Sequence, residues 1–208
     1  MLHIEAVEPG TFSLLKRLME LPSLASCSLA GGTALALRYG HRASIDLDLF
    51  CSENIDLQLS VEELERTFGD QFLYEPGTKT IGIFSIIQNI KVDIVRYPHP
   101  QIKPIEVNEG IRLFSDADIG AMKIQAILGR GRKKDFWDLQ ELLKNYPLQQ
   151  ILSWHSLKYP SQMLAISIPN ALTYFVDAEE SGDPVSFKNQ TWSEIKRDIQ
   201  QVVRDYLK

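Results

Sequence analysis

The chain has 208 residues, 44% of them hydrophobic and 24% charged, which is enough apolar material to bury a full core as one domain, or a small domain with a helical extension. A formal net charge of -5 excludes a surface that attracts polyanions as a whole, so any nucleic-acid contact must come from a local basic cluster. No apolar run approaches bilayer-spanning length, and the N-terminus lacks the basic, apolar, small-residue order of a signal peptide, so the expected setting is the cytoplasm, with no membrane association.

In chain order, Leu14, Leu15, Leu18 and Met19 recur at helical spacing and stop at Pro22, which predicts an amphipathic helix over residues 11–21. A strand is expected over 24–30, and two cysteines lie beside strand-like runs. Cys27 and Cys51 have no metal or redox spacing and are expected to be buried free thiols in a reducing compartment. Gly31-Gly32 breaks the first strand, and a helix follows over 33–39 with Gly40 as its C-terminal stop. Ile45 to Phe50 alternates apolar and polar residues, the period of a strand. Ser60 and Glu63 have capping-box spacing for a helix over 61–68. Thr80 to Ile87 and Ile90 to Tyr97 are β-rich runs joined by Gln88-Asn89, which predicts a hairpin.

Beyond that hairpin the pattern is helical. Ser115 with Asp118 caps a helix ending at Gly129-Arg130-Gly131; another spans 133–144; others are expected over 148–158 and 161–176; and Thr191 with Glu194 caps the last, to Leu207. The expected class is α+β, with a mixed-sheet core over 1–112 and a helical region over 113–208 packed against it, as two units or one continuous domain.

Residues two apart on a strand leave the same face, so Asp46 and Asp48 project together while Ile45, Leu47 and Leu49 are expected to pack behind them. Two such acids repel unless a cation lies between them, and an oxygen-only site suits Mg2+ or Mn2+. Taken alone, the pair reads as a solvated strand edge. Asp93 changes the balance, because an acid among branched apolar residues is costly unless paired or metal-bound. Three acids on neighbouring strands can hold metal; equally, Asp93 can pair with Lys91 or Arg96. Gly31-Gly32-Thr33, between a strand and a helix, is a candidate triphosphate cradle, although a tight turn needs glycine for steric reasons alone.

Gly31-Gly32-Thr33 followed by His41-Arg42-x-Ser44-x-Asp46-x-Asp48-Leu49-Phe50 resembles the opening motif of nucleotidyltransferases with the polymerase-β-like fold, and more narrowly the AbiEii/AbiGii toxin-type family. Lys123, then Lys134-Asp135-Phe136-Trp137-Asp138, is similar to the family's downstream lysine and paired acids. The resemblance covers 29–50 closely and 118–143 well. It implies a polymerase-β-like fold and transfer of a nucleoside monophosphate from an NTP to an acceptor hydroxyl, on RNA such as tRNA or on protein.

The implied roles follow residue by residue. Asp46, Asp48 and Asp93 would bind metal, Mg2+ or Mn2+, with Asp93 alternatively a general base. Gly31, Gly32, Thr33, Arg42, Ser44 and Lys123 would hold the nucleotide. Lys123 carries the triphosphate charge and Asp135 orients it; Asp138 supports the helix pair or fixes a basic neighbour. Arg42 steadies a phosphate or pairs with an acid, and His41 has a turn role. Arg130, Arg132, Lys133 and Lys134 put four positive charges in five residues, either a phosphate-tracking patch or a solvated loop. The family also implies a toxin of a toxin–antitoxin or phage-defence pair, with an antitoxin encoded nearby. The competing readings are a nucleotide-binding regulatory or antitoxin-like module without turnover, and a metal-dependent phosphodiesterase. For Leu172 to Glu179 the sequence offers no role beyond helix packing.

Overall fold

The computed structural model describes residues 1–51, 55–74, 81–164 and 166–208. Helix α1 (Pro9–Glu20) buries Leu14, Leu15, Leu18 and Met19, and Pro22 turns the chain into β1 (Cys27–Leu29), shorter than the strand expected from residue 24. Helix α2 (Gly31–Tyr39) starts on the two glycines themselves and stops at Gly40, whose φ of 55° is the left-handed C-terminal cap. Strand β2 (Leu47–Cys51) begins one residue after Asp46. Ile45, expected behind the acids, is instead exposed, because it precedes the strand and is not held to its alternation.

Helix α3 (Leu57–Phe68) is capped by Asp56, which accepts from the backbone of Gln58 and Leu59 at 3.1 Å each. Ser60 lies inside the helix, bonded back to the Asp56 carbonyl, so the expected capping box is a turn too late. Strands β3 (Phe72–Tyr74), β4 (Gly82–Ile87) and β5 (Ile90–Arg96) form a meander; Gln88 and Asn89 take φ of 53° and 63°, the left-handed pair of a tight hairpin. Thr80, expected to open β4, lies outside the described residues.

A second hairpin, β6 (Glu106–Asn108) and β7 (Ile111–Leu113), turns at Glu109-Gly110 and was not expected from the sequence. Three-residue strands are too short to declare a period. The expected boundary between residues 112 and 113 falls inside β7.

The described strands form one seven-stranded mixed sheet in the order β3-β4-β5-β2-β1-β7-β6. Strands β2 and β5 run parallel, as do β1 and β7, and the remaining neighbours are antiparallel. Leu47, Leu49, Ile83, Ile87, Val92 and Ile94 are buried on one face, with α3 over β3 and β4. Antiparallel pairing sets Cys27 opposite Cys51, and the two are joined as a disulfide. The free-thiol expectation, and the compartment inferred from it, thus lose their support. A separation of 24 residues carries no local motif, and only strand register brings the sulfurs together.

The helical half consists of α4 (Asp116–Gly129), α5 (Lys133–Leu143), α6 (Leu148–Lys158), α7 (Ile168–Leu172), α8 (Val176–Glu179) and α9 (Trp192–Tyr206). The single helix expected over 161–176 is two short ones. Between them Phe175 packs on Phe136 and Trp192, with ring centroids 5.2 and 5.5 Å apart, which gives the 172–179 segment its role in fastening α5 to α9.

Arg112 of β7 ties the second hairpin to the N-terminal part of the chain by donating to the carbonyls of Cys27 (2.8 Å), Met19 (2.9 Å) and Leu24 (3.0 Å). Replacing it with methionine keeps the side-chain length but strands three partly buried acceptors. Arg112→Met is therefore expected to lower unfolding stability by about 2 kcal/mol or more in denaturant titration.

Candidate active site

Parallel pairing of β2 and β5 places Asp48 directly beside Asp93. The two carboxylates leave the same face of the sheet on neighbouring strands. Among the described residues the Asp48 carboxylate has no hydrogen-bond partner, and burial first, then Asp93 and Asp46, push it above its ordinary value despite Lys123 and Lys91. Asp93 pairs through one oxygen with Lys91, one of the two partners open to it in the sequence, while its Oδ1 is buried with no partner among the described residues. Asp46 sits outside the strand, where Lys134 Nζ approaches it at 3.3 Å.

The glycines serve these side chains. Gly31 has a φ of +66°, and a Cβ there would stand 2.6 Å from Asp48 Oδ2; at Gly32 it would meet the Arg42 guanidinium at 2.1 Å. Helix α2 begins here with no side-chain cap on its first amides, so they remain available to an anion. The Thr33 hydroxyl is committed elsewhere: it donates to the Asp46 carbonyl and lies 2.8 Å from the Ser44 hydroxyl. Thr33 and Ser44 thus pin the loop that carries Asp46, where the expectation had both holding nucleotide.

Arg42 is likewise turned inward. It donates to Asp138 through Nε (2.7 Å) and a terminal nitrogen (2.8 Å), with His41 Nε2 2.8 Å from the same carboxylate. Of the two roles open to Arg42, the structure has it paired with an acid. Lys123 is 6% exposed, 2.7 Å from Asp138 and 3.0 Å from Asp135. Burial works against its ammonium, yet Asp138 and Asp135 outweigh that and hold its pKa above the ordinary lysine value. Buried Asp138 is in turn kept well below 3.8, because Arg42, Lys123 and His41 outweigh its own desolvation.

Asp138 is the residue whose weight the sequence understated. Its position three after Asp135 put it on the correct helix face, but nothing local said that three cations or imidazoles from two other segments converge on it. Lys134 on Asp46, and the 181–187 segment described below, were equally unmarked.

The oxygen-only donors suit a hard divalent cation, and the orphaned Asp93 Oδ1 beside unpaired Asp48 fits one. Among the described residues, however, no three carboxylate, imidazole or thiol groups stand close enough to form a complete metal cluster. Asp46 is held aside by Lys134.

Two outcomes are expected. Asp138→Asn leaves Arg42 and Lys123 with too little countercharge and should cost about 3–5 kcal/mol of unfolding stability. Because the native Asp138 pKa is depressed, its contribution is present above pH 3.8 and is lost only as pH falls through the lower folded value; acid titration of unfolding should show this arm missing in the variant. Asp48 has the opposite sign. Its raised pKa makes it a cost that grows as pH rises above 3.8, so Asp48→Asn should raise the Tm of the metal-free protein at neutral pH and abolish any Tm increase on adding Mg2+ or Mn2+.

Comparison with known proteins adds a family to this geometry. A family model described as "Nucleotidyl transferase AbiEii toxin, Type IV TA system" matches residues 13–161. An uncharacterized protein of Aquifex aeolicus (strain VF5) is 33% identical over 202 residues, covering 91% of this chain and 94% of its own. Among solved structures, JHP933 from Helicobacter pylori aligns with a TM-score of 0.55 at 17% identity, over 95% of this chain and 92% of that one. MenT4, the nucleotidyltransferase toxin Rv2826c from Mycobacterium tuberculosis H37Rv, aligns with a TM-score of 0.54 at 14% identity, over 95% of this chain and 86% of that one. At those identities the structural matches carry the fold alone.

Proposed function

The chain belongs to the AbiEii nucleotidyl transferase toxin family, and from that premise we propose that it moves a nucleoside monophosphate from an NTP to an acceptor hydroxyl on RNA, such as tRNA, or on protein. The observation that carries the reading is the in-register pair of Asp48 and Asp93 lying against the uncapped start of α2.

Phosphoryl transfer asks little covalent chemistry of a protein; positioning and charge neutralisation do most of it. The free amides of Gly31 and Gly32 receive phosphate oxygens. Asp48 and Asp93 would hold Mg2+ or Mn2+, as would Asp46 once free of Lys134. When bound, the cation neutralises charge on the phosphoryl oxygens. As the alternative to that metal role, Asp93 would use its Oδ1, which has no partner among the described residues, to accept the proton of the acceptor hydroxyl. Lys123 acts from behind: its ammonium is the largest charge lowering the Asp48 pKa, so it favours the ionised carboxylate without leaving its pocket. In the biological setting the chain is the toxin of a toxin–antitoxin or phage-defence pair, restrained by an antitoxin encoded nearby.

The test is incorporation of labelled NTPs into cellular RNA and protein fractions in the presence of Mg2+. Wild type is expected to transfer label, and Asp48→Ala and Asp93→Ala to lose it by about 100-fold or more. Absence of any Asp48-dependent label sinks the reading.

A further inference from the structure

The family match ends at residue 161, yet a later segment reaches back to the catalytic loop. The Ala43 amide donates to the Val185 carbonyl at 2.8 Å, the Phe187 amide to the His41 carbonyl at 3.0 Å, and Arg42 and Ser186 form an antiparallel bridge. The same strap is fastened to α5: the Lys133 amide donates to Ser181 Oγ at 2.9 Å, and Lys133 Nζ lies 2.7 Å from Asp183. Between strap, catalytic loop and the start of α5 lies a cavity of about 280 Å3 lined by Ser44, Asp46, Arg132, Lys134, Gly182 and Pro184, among others.

That volume lies at the lower edge of the range for small-molecule pockets, a size that suits one part of a nucleotide. Its charge says which part. Arg42, which also reaches it, is neutralised by Asp138; the remaining cations are Arg132 and Lys134 against the single acid Asp46. The Lys134 to Asp46 contact is 3.3 Å between side chains about a third exposed, a class of pair worth about 0–1 kcal/mol, so Lys134 can exchange it for a phosphate oxygen at small cost. Arg132 brings a planar, permanently charged fork suited to the same oxygens.

Resting on the nucleotidyltransferase reading above, we propose that this strap-walled cavity is the seat of the terminal phosphates of the NTP. Arg132 and Lys134 hold the departing pyrophosphate, and residues 181–184 form the wall that fits a triphosphate and excludes bulkier groups. Atoms balance simply: the acceptor oxygen bonds the α-phosphorus, the α–β bridging P–O bond breaks, and pyrophosphate leaves with that oxygen.

Gly182 supplies a clean probe, since it lines the cavity and a Cβ there meets nothing within 4 Å, so a larger side chain is accommodated at the cavity wall without displacing the fold. Gly10, equally open but in α1, is the control. Binding of inorganic tripolyphosphate is measured by calorimetry, together with label transfer by wild type. Gly182→Leu and Arg132→Ala are expected to weaken tripolyphosphate binding by roughly tenfold or more, with Gly10→Leu unchanged. Wild-type label transfer together with undiminished tripolyphosphate binding by Gly182→Leu and Arg132→Ala would overturn the cavity assignment and leave the transferase reading standing. Equally, failure of the wild type to bind tripolyphosphate overturns the assignment, while the label assay alone decides the transferase reading. If Gly182→Leu weakens a nucleoside instead of tripolyphosphate, the cavity holds the base and the proposal is wrong.

Discussion

The Asp138 carboxylate balances Arg42, His41 and Lys123, which come from the loop between α2 and β2 and from α4, and all four side chains are nearly withdrawn from water. A carboxylate taken out of water survives as an anion only with close, hydrogen-bonded cations, and these cations need it equally. The cluster therefore behaves as one unit that fixes α5 against the start of α2 and against the loop leading into β2. Once Arg42 is locked there, Gly32 is obligatory, since its missing side chain is what leaves room for the guanidinium.

The acids of the sheet are arranged on the opposite principle. Asp138 is oversupplied with positive charge; Asp48 and Asp93 are undersupplied, with Lys91 on one and, among the described residues, nothing directly bonded to the other. Like charges side by side on a half-buried face cost stability, and an arrangement of that kind is stable only because the surrounding core holds it. The buried inner cluster and the uncompensated outer pair are joined by Lys123, whose field reaches Asp48 while its ammonium stays bonded to Asp135 and Asp138.

Much of this was legible where the signal is local. The helices over α1, α4, α5 and α9, the β4–β5 hairpin and the Gly40 stop follow from apolar period, caps and left-handed turn residues, which act within a few positions along the chain. Where two local signals compete, the earlier one prevails: Ser60 has cap spacing, but Asp56 lies one turn earlier and caps first. The β6–β7 hairpin and the broken helix after residue 161 escaped because segments of three to five residues hold too few positions to reveal a period.

By itself the sequence determined the chemistry available to this protein. Paired glycines at the start of a helix, an acid on a strand with another just before it, a third acid on a second strand, and a lysine followed by paired acids name the parts, because residue type and spacing set what chemistry each segment can offer. Only the tertiary structure decided which parts work together. The register of β2 on β5 put Asp48 beside Asp93; the register of β1 on β2 put Cys27 on Cys51; and the packing of α5 sent Arg42 and Lys123 inward to Asp138, with the 181–187 strap closing over the loop. Each of these pairings joins residues at least 15 positions apart in the sequence, where no local spacing rule operates and the balance between burial and charge neutralisation makes the choice.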